Sequence, residues 1–129
     1  MLNVENIHKS FDGVEVLKGV SISVNQGDVV VILGPSGSGK TTLLRCMNFL
    51  ERADAGTIGL DGTVLDAKKA SKKEVRDFRR KTAFVFQNYN LFKNKTVLEN
   101  VTEGLVTGRK MPKAQAREKA LEQLEKVGM

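Results

Sequence analysis

Gly34-Pro35-Ser36-Gly37-Ser38-Gly39-Lys40-Thr41-Thr42 fits the spacing G-x-x-x-x-G-K-[ST] and lies between an apolar run at 29–33 and a helical pattern that begins near Gly39. A strand that feeds a glycine-rich loop and continues as a helix is the context this spacing needs to hold a chain of phosphates. Glycines at 34, 37 and 39 allow positive φ without steric penalty, so consecutive backbone N–H groups turn inward as a nest for an anion. Lys40 adds an ammonium for the β- and γ-phosphates, and the Thr41 hydroxyl suits a Mg²⁺ ion bridging the same oxygens. Thr42 continues the helix. These residues imply a nucleotide-binding protein of α/β class.

Reading outward, residues 2–9 and 20–24 have strand character, and 25–28 (Asn-Gln-Gly-Asp) a turn. Residues 28–33 form the expected buried strand before the loop, and a helix is expected from Gly39 to about Leu50. Residues 57–60 and 63–65 flank Asp61-Gly62, the preferred pair for a two-residue hairpin. A basic helix over 71–80 leads into 82–86, whose continuous apolar character predicts a central strand, with Gln87 directly after it. Two domains are expected: 1–87, a nucleotide-binding core with an antiparallel β portion, and 88–129, the beginning of a helical subdomain. In the latter, Thr96 caps a helix reaching Val106, with Glu99 three residues on. A second helix spans 111–127, with Pro112 in its first turn, Ala116, Ala120, Leu121, Leu124 and Val127 on its apolar side, and Glu122 paired with Lys126. That face has few partners in the sequence, so a truncated chain is expected.

Composition narrows the class. The 129 residues are 40% hydrophobic and 28% charged, enough for a buried core, and the densest apolar segment falls far short of the ~20 residues that cross a bilayer. The amino terminus lacks a signal peptide's layout, so a cytoplasmic location is expected. Cys46 has no partner cysteine and sits among apolar helix positions, which makes it packing. Net charge is +6, and most of it lies in one stretch. Between Asp66 and Lys81, eight basic residues (Lys68, Lys69, Lys72, Lys73, Arg76, Arg79, Arg80, Lys81) face three acidic ones (Asp66, Glu74, Asp77). Val75 and Phe78 give this stretch an apolar edge, so it reads as a solvated helix face, and no nucleic-acid partner is expected.

Beyond the loop, the runs Lys9-Ser10-Phe11-Asp12-Gly13, Val16-Leu17, Leu44-Arg45-Cys46-Met47-Asn48-Phe49-Leu50-Glu51, Gly56-Thr57-Ile58, Asp61-Gly62, Val85-Phe86-Gln87 and Leu91-Phe92 together span nearly the whole chain. In them the sequence resembles the amino-terminal half of an ABC transporter ATP-binding subunit, with closest likeness to the polar amino acid uptake group. The resemblance implies a P-loop NTPase core of ABC ATPase type with an antiparallel β portion and the start of a helical subdomain. It implies ATP and Mg²⁺ as cofactors and places Phe11 where the family stacks adenine, usually on tyrosine. The π-face remains without the phenol, and stacking a base on an aromatic ring is worth roughly 1 to 3 kcal/mol. Val16 lines the same pocket, residues Gly34, Pro35, Ser36, Gly37, Ser38, Gly39, Lys40, Thr41 and Thr42 take the phosphates, and Thr41 and Gln87 serve the metal. A strand's carboxyl end, where Gln87 stands, is also where open α/β sheets bind ligands. Membrane permease subunits, a second ATP-binding subunit and, indirectly, a solute-binding protein are the implied partners, on the inner face of the cell membrane.

The catalytic set the family uses is incomplete here, with Lys40 and Gln87 its contributors. No Asp-Glu pair follows an apolar run, no Leu-Ser-Gly-Gly-Gln-like stretch occurs, and the single histidine, His8, lies on the first strand as a surface or packing residue. Phosphoryl transfer needs positioned water and charge-stabilising groups as well as binding, so this chain is expected to bind nucleotide better than it cuts. Other readings stand beside this one. A soluble ABC-type ATPase acting on ribosomes or DNA looks alike over this half. A P-loop kinase usually meets the loop on its first strand, and a GTPase needs Asn-Lys-x-Asp, whereas Asn94-Lys95 is followed by Thr96-Val97.

Overall fold

Two Asp-Gly pairs build the sheet. In each, both residues have positive φ (Asp12 49°, Gly13 80°; Asp61 48°, Gly62 84°), the type I′ geometry whose twist matches that of antiparallel strands. The first pair joins β1 (Leu2–Phe11) to β2 (Val14–Val24), in register from Leu2↔Val24 to Phe11↔Val14. The second joins β3 (Ala55–Leu60) to β4 (Thr63–Asp66) with Leu60 opposite Thr63. β1 also pairs with β3, giving a four-stranded antiparallel sheet of order β2-β1-β3-β4. The computed structural model describes residues 1–129, in two units, Met1–Phe84 and Val85–Met129.

In the first unit, Val4, Ile7, Leu17, Ile58 and Leu65 from the sheet join Leu43 and Cys46 of α1 (Lys40–Met47) and Val75 and Phe78 of α2 (Lys72–Arg79) in one core. Fully burying such a side chain stabilises by about 1.5 to 3 kcal/mol. α2 starts with a reciprocal cap: Glu74 N–H donates to Ser71 Oγ at 3.2 Å, and Ser71 N–H donates to Glu74 Oε2 at 2.7 Å. Its end is tied to α1. Arg79 donates from Nε to the Asn48 carbonyl at 3.1 Å and from its guanidinium to the Phe49 carbonyl. Phe49 itself has φ 53°, a rare conformation for a bulky residue, held by burial and an edge-on contact with Phe78 at 5.3 Å. Gly56 packs so tightly on β1 that a Cβ there would lie 2.6 Å from the carbonyl oxygens of both Glu5 and Asn6.

The structure departs from the sequence reading at three segments. The second strand begins at Val14 rather than 20, because the hairpin ladder continues through irregularities, with Gly19 at φ 80°. Residues 28–33 and 82–86, expected as buried strands, lie outside the sheet. Val29, Leu33 and Val85 are 90%, 86% and 93% exposed, while Ile32 alone of the first run packs on the core. Continuous apolar runs are suited to the middle of a parallel sheet, where neighbours on both sides supply the hydrogen bonds. The antiparallel sheet formed here takes in neither run.

In the second unit the expected cap is present. Glu99 N–H donates to Thr96 Oγ1 at 3.2 Å, and Thr96 N–H donates to Glu99 Oε2 at 2.7 Å, opening α3 (Val97–Glu103). Asn100 fastens the preceding loop by accepting from Phe92 N–H at 2.8 Å and donating to the Thr96 carbonyl at 2.9 Å. A π-helical turn, Gly104–Gly108, follows α3. α4 (Lys113–Lys126) starts after Pro112 and buries only Ala116 and Ala120, small residues that allow close helix approach. Leu121 and Val127, expected on its apolar side, are exposed. The Glu122–Lys126 pair forms at 2.6 Å. No helix is long and apolar enough to cross a membrane.

Burial pushes the Cys46 thiol up to about 11 from an ordinary value of 9.0. A raised acid favours its protonated form in the folded state, so this contribution to stability is complete below pH 9 and is lost as pH rises towards 11. Cys46→Ala should show a shallower fall in urea midpoint between pH 9 and 11 than the parent. At pH 8, native Cys46 should react with iodoacetamide roughly 100-fold more slowly than in the urea-unfolded chain; equal rates would show the thiol to be accessible.

Candidate functional site

The glycine-rich loop rests on β2. Gly39, which caps α1, has φ 94°, and a Cβ built on it would stand 3.0 Å from Val16 Cγ1, 3.2 Å from Leu17 Cδ2 and 3.3 Å from the Val16 carbonyl oxygen. Backbone conformation demands glycine there, and the approach of Val16 and Leu17 leaves a side chain only a tight fit. Gly37 also has positive φ, 78°, with open surroundings. Gly34 departs from the sequence expectation, since its φ lies outside the positive region. A Cβ there would meet Ser38 Oγ at 2.8 Å, a hydroxyl that can rotate away, so neither φ nor space demands glycine at 34.

Lys40 curls back into the loop it follows. Its ammonium donates to the carbonyls of Gly34 at 2.7 Å and Pro35 at 2.6 Å and lies 3.3 Å from Ser38 Oγ. Ser38 N–H donates to the Pro35 carbonyl at 3.3 Å, closing the turn. No side chain caps α1, so its first-turn N–H groups are left for a ligand. Pro35, Ser36 and Thr41 are exposed and Thr42 is half-buried. The Thr41 hydroxyl, on the first turn of α1 beside Lys40, is a hard oxygen donor of the kind Mg²⁺ takes. Nest, ammonium and helix terminus together suit a phosphate chain.

The remaining sequence-derived residues fall in different places. Val16, half-buried on β2, stands 3.0 Å from where a Cβ on Gly39 would be, so strand and loop approach closely there. Phe11 ends β1 opposite Val14, two residues along β2 from Val16, and is 41% exposed. Gln87 lies on an exposed bend in the second unit, whereas the loop belongs to the first. His8 pairs with Glu15 across the hairpin at 3.0 Å and packs over Gly19. Lys9 was not singled out from the sequence. Its ammonium lies 4.8 Å from the centre of the Phe11 ring and 2.9 Å from Glu51 Oε1, and the hydrogen bond to Glu51 raises its pKa above the ordinary lysine value. The signal available was positional: residues i and i+2 of a strand share a face.

A family model described as ABC transporter matches residues 17–129. The chain belongs to the ABC transporter family. As a member of it, the chain aligns over its full length at 53% identity with the L-cystine import ATP-binding protein TcyN of Bacillus subtilis, covering 50% of that protein. It is 54% identical over 132 residues to a probable amino-acid ABC transporter ATP-binding protein of Haemophilus influenzae, covering all of this chain and 51% of that one. Among solved structures, a dimeric bacterial ABC transporter cassette matches with TM-score 0.85 at 33% identity, over 97% of this chain and 56% of that one. The fold is therefore the ABC ATPase type of α/β domain. The chain spans about half the length of the curated relatives it matches.

Gly39→Ala tests how the loop is seated. Strain at a positive-φ position costs about 1 to 3 kcal/mol, so its urea midpoint should fall accordingly. Combining it with Val16→Ala, which removes the 3.0 Å contact, should restore part of the loss; full additivity of the two losses would show that strand and loop are not in contact.

Proposed function

We propose that this chain supplies the ATP-binding half-site of an ABC importer's motor subunit, serving uptake of polar amino acids. The observation that carries the reading is the Lys40 ammonium inside a glycine-lined loop at an uncapped helix start. Support for the import role comes from the relatives whose names say so, such as TcyN, and support for an amino-acid cargo also from the histidine/lysine/arginine/ornithine transport ATP-binding protein HisP of Escherichia coli, at 44% identity. A solved ABC cassette bound to ADP and Pi matches with TM-score 0.82 at 32% identity, which favours nucleotide as the ligand.

In this reading Gly34, Pro35, Ser36, Gly37, Ser38, Gly39, Lys40, Thr41 and Thr42 hold the phosphates. Backbone N–H groups provide most of the grip, and Lys40 neutralises the β- and γ-oxygens. Phe11 and Val16 receive the base. Thr41 would hold Mg²⁺ and Gln87 is the second ligand that the family resemblance implies; the ion would supply neutralisation of phosphate charge. The motor works as a dimer against membrane permease subunits on the cytoplasmic face, with a solute-binding protein acting through them. Residues 1–129 lack the Asp-Glu pair that would position water, so they bind and orient nucleotide without completing its cleavage.

Thermal unfolding with Mg-ATP tests binding. At ten times Kd the ligand adds about 1.4 kcal/mol, roughly 5 °C in Tm for a chain of this size. Lys40→Ala should abolish that shift, and an unchanged shift would remove the loop from the site. Phosphate release by residues 1–129 should match the Lys40→Ala background; release well above it would show that the catalytic set is complete.

A further inference from the structure

Lys9 and Phe11 leave the same face of β1, and the ammonium stands over the ring. Several contacts fix it there. Lys9 Nζ donates to the Arg52 carbonyl at 2.8 Å and pairs with Glu51 at 2.9 Å and more distantly with Asp54 at 3.9 Å. Asp54 in turn accepts from Ser10 N–H at 2.7 Å, while its own N–H donates to the His8 carbonyl at 2.7 Å. Residues 51–54 are thereby fastened to β1 on both sides of Lys9. A lysine normally swings on a flexible stem, yet this side chain is only 11% exposed.

The charge arrangement argues against a phosphate ligand. Two carboxylates stand within 4 Å of one ammonium, so the cluster carries no surplus positive charge for an anion. What the ammonium does reach is the π-face of Phe11, where a cation is attracted to the ring's negative quadrupole. A cation on one face fixes the ring plane and draws electron density from the other face, which favours a second aromatic system stacked there.

We propose that Lys9 is the positioning residue of the base subsite: anchored by Glu51, Asp54 and the Arg52 carbonyl, it holds one face of Phe11 and presents the opposite face to a nucleotide base. The inference rests on the reading of Phe11 as the base platform, and it adds the group that sets the platform's orientation. Lys9 touches no part of the nucleotide in this scheme and acts through Phe11.

The test compares binding of ATP and of inorganic tripolyphosphate, each with magnesium, by the parent protein, Lys9→Met, Lys9→Arg and Phe11→Ala. Tripolyphosphate has no base and reports only on the loop. Lys9→Met keeps the apolar stem and should weaken ATP binding about two- to fivefold, the range a partly exposed cation–π contact supports, with tripolyphosphate unchanged. Lys9→Arg should retain most of the ATP affinity, since a guanidinium also sits over an aromatic face. Phe11→Ala should lose the preference for ATP over tripolyphosphate. If Lys9→Met binds ATP like the parent while Phe11→Ala does not, the proposal is overturned and the platform stands. Parallel loss of both ligands in Lys9→Met would make Lys9 a fold determinant only, which also overturns it. Retention of the ATP preference by Phe11→Ala, or failure of the parent to bind either ligand, overturns the platform or the nucleotide reading, and this inference with it.

Discussion

At Gly39 the sheet, the loop and the helix meet so closely that a methyl group would need its neighbours to give by a few tenths of an ångström. Val16 and Leu17 stand 3.0 and 3.2 Å from where a Cβ would be, and the φ of 94° at that residue directs the chain from the loop into α1. Everything proposed for phosphate depends on this junction. If the loop stood off from β2, the α1 amides and the Lys40 ammonium would no longer converge on one space. A nest of N–H groups has value only when its geometry is fixed before the anion arrives, because ordering it afterwards would consume much of the binding energy. The long β1–β2 hairpin is thus the foundation on which the loop is laid.

The parts of the fold that were legible in the sequence are those decided by neighbours along the chain. Ser71 with Glu74 and Thr96 with Glu99 announce helix starts, and both caps form with both hydrogen bonds. Asp61-Gly62 announces a hairpin, which forms, whereas the hairpin at Asp12-Gly13 was not read from the sequence and the strand after it was placed six residues late because its alternation is blurred by bulges. The strands at 28–33 and 82–86 illustrate the opposite case. Their apolar runs report what kind of sheet would suit them, while strand formation depends on partners distant in sequence.

The candidate site divides the same way. Gly34, Gly37, Gly39 and Lys40 were legible as a motif, and the positive φ expected at 37 and 39 is present, whereas Gly34 lies outside that region and the close approach of β2 to Gly39 was not legible. Lys9 gave no sign of importance because its meaning lies in contacts with Glu51, Arg52 and Asp54, more than 40 residues away along the chain. The family assignment explains why the local motif sufficed for class while the tertiary contacts remained to be found.

α2 has a practical consequence for anyone handling this protein. Lys72, Lys73, Arg76, Arg79 and Arg80 fall on one side at 100° per residue, with Asp77 at its edge one turn from Lys73, and the exposed Lys72, Lys73, Arg76 and Arg80 are not neutralised by ion pairs. Such a face collects polyanions at low ionic strength by releasing their condensed counterions. Nucleic acid carried through a low-salt purification would therefore reflect general electrostatics, and a high-salt wash is the proper starting point for judging any partner.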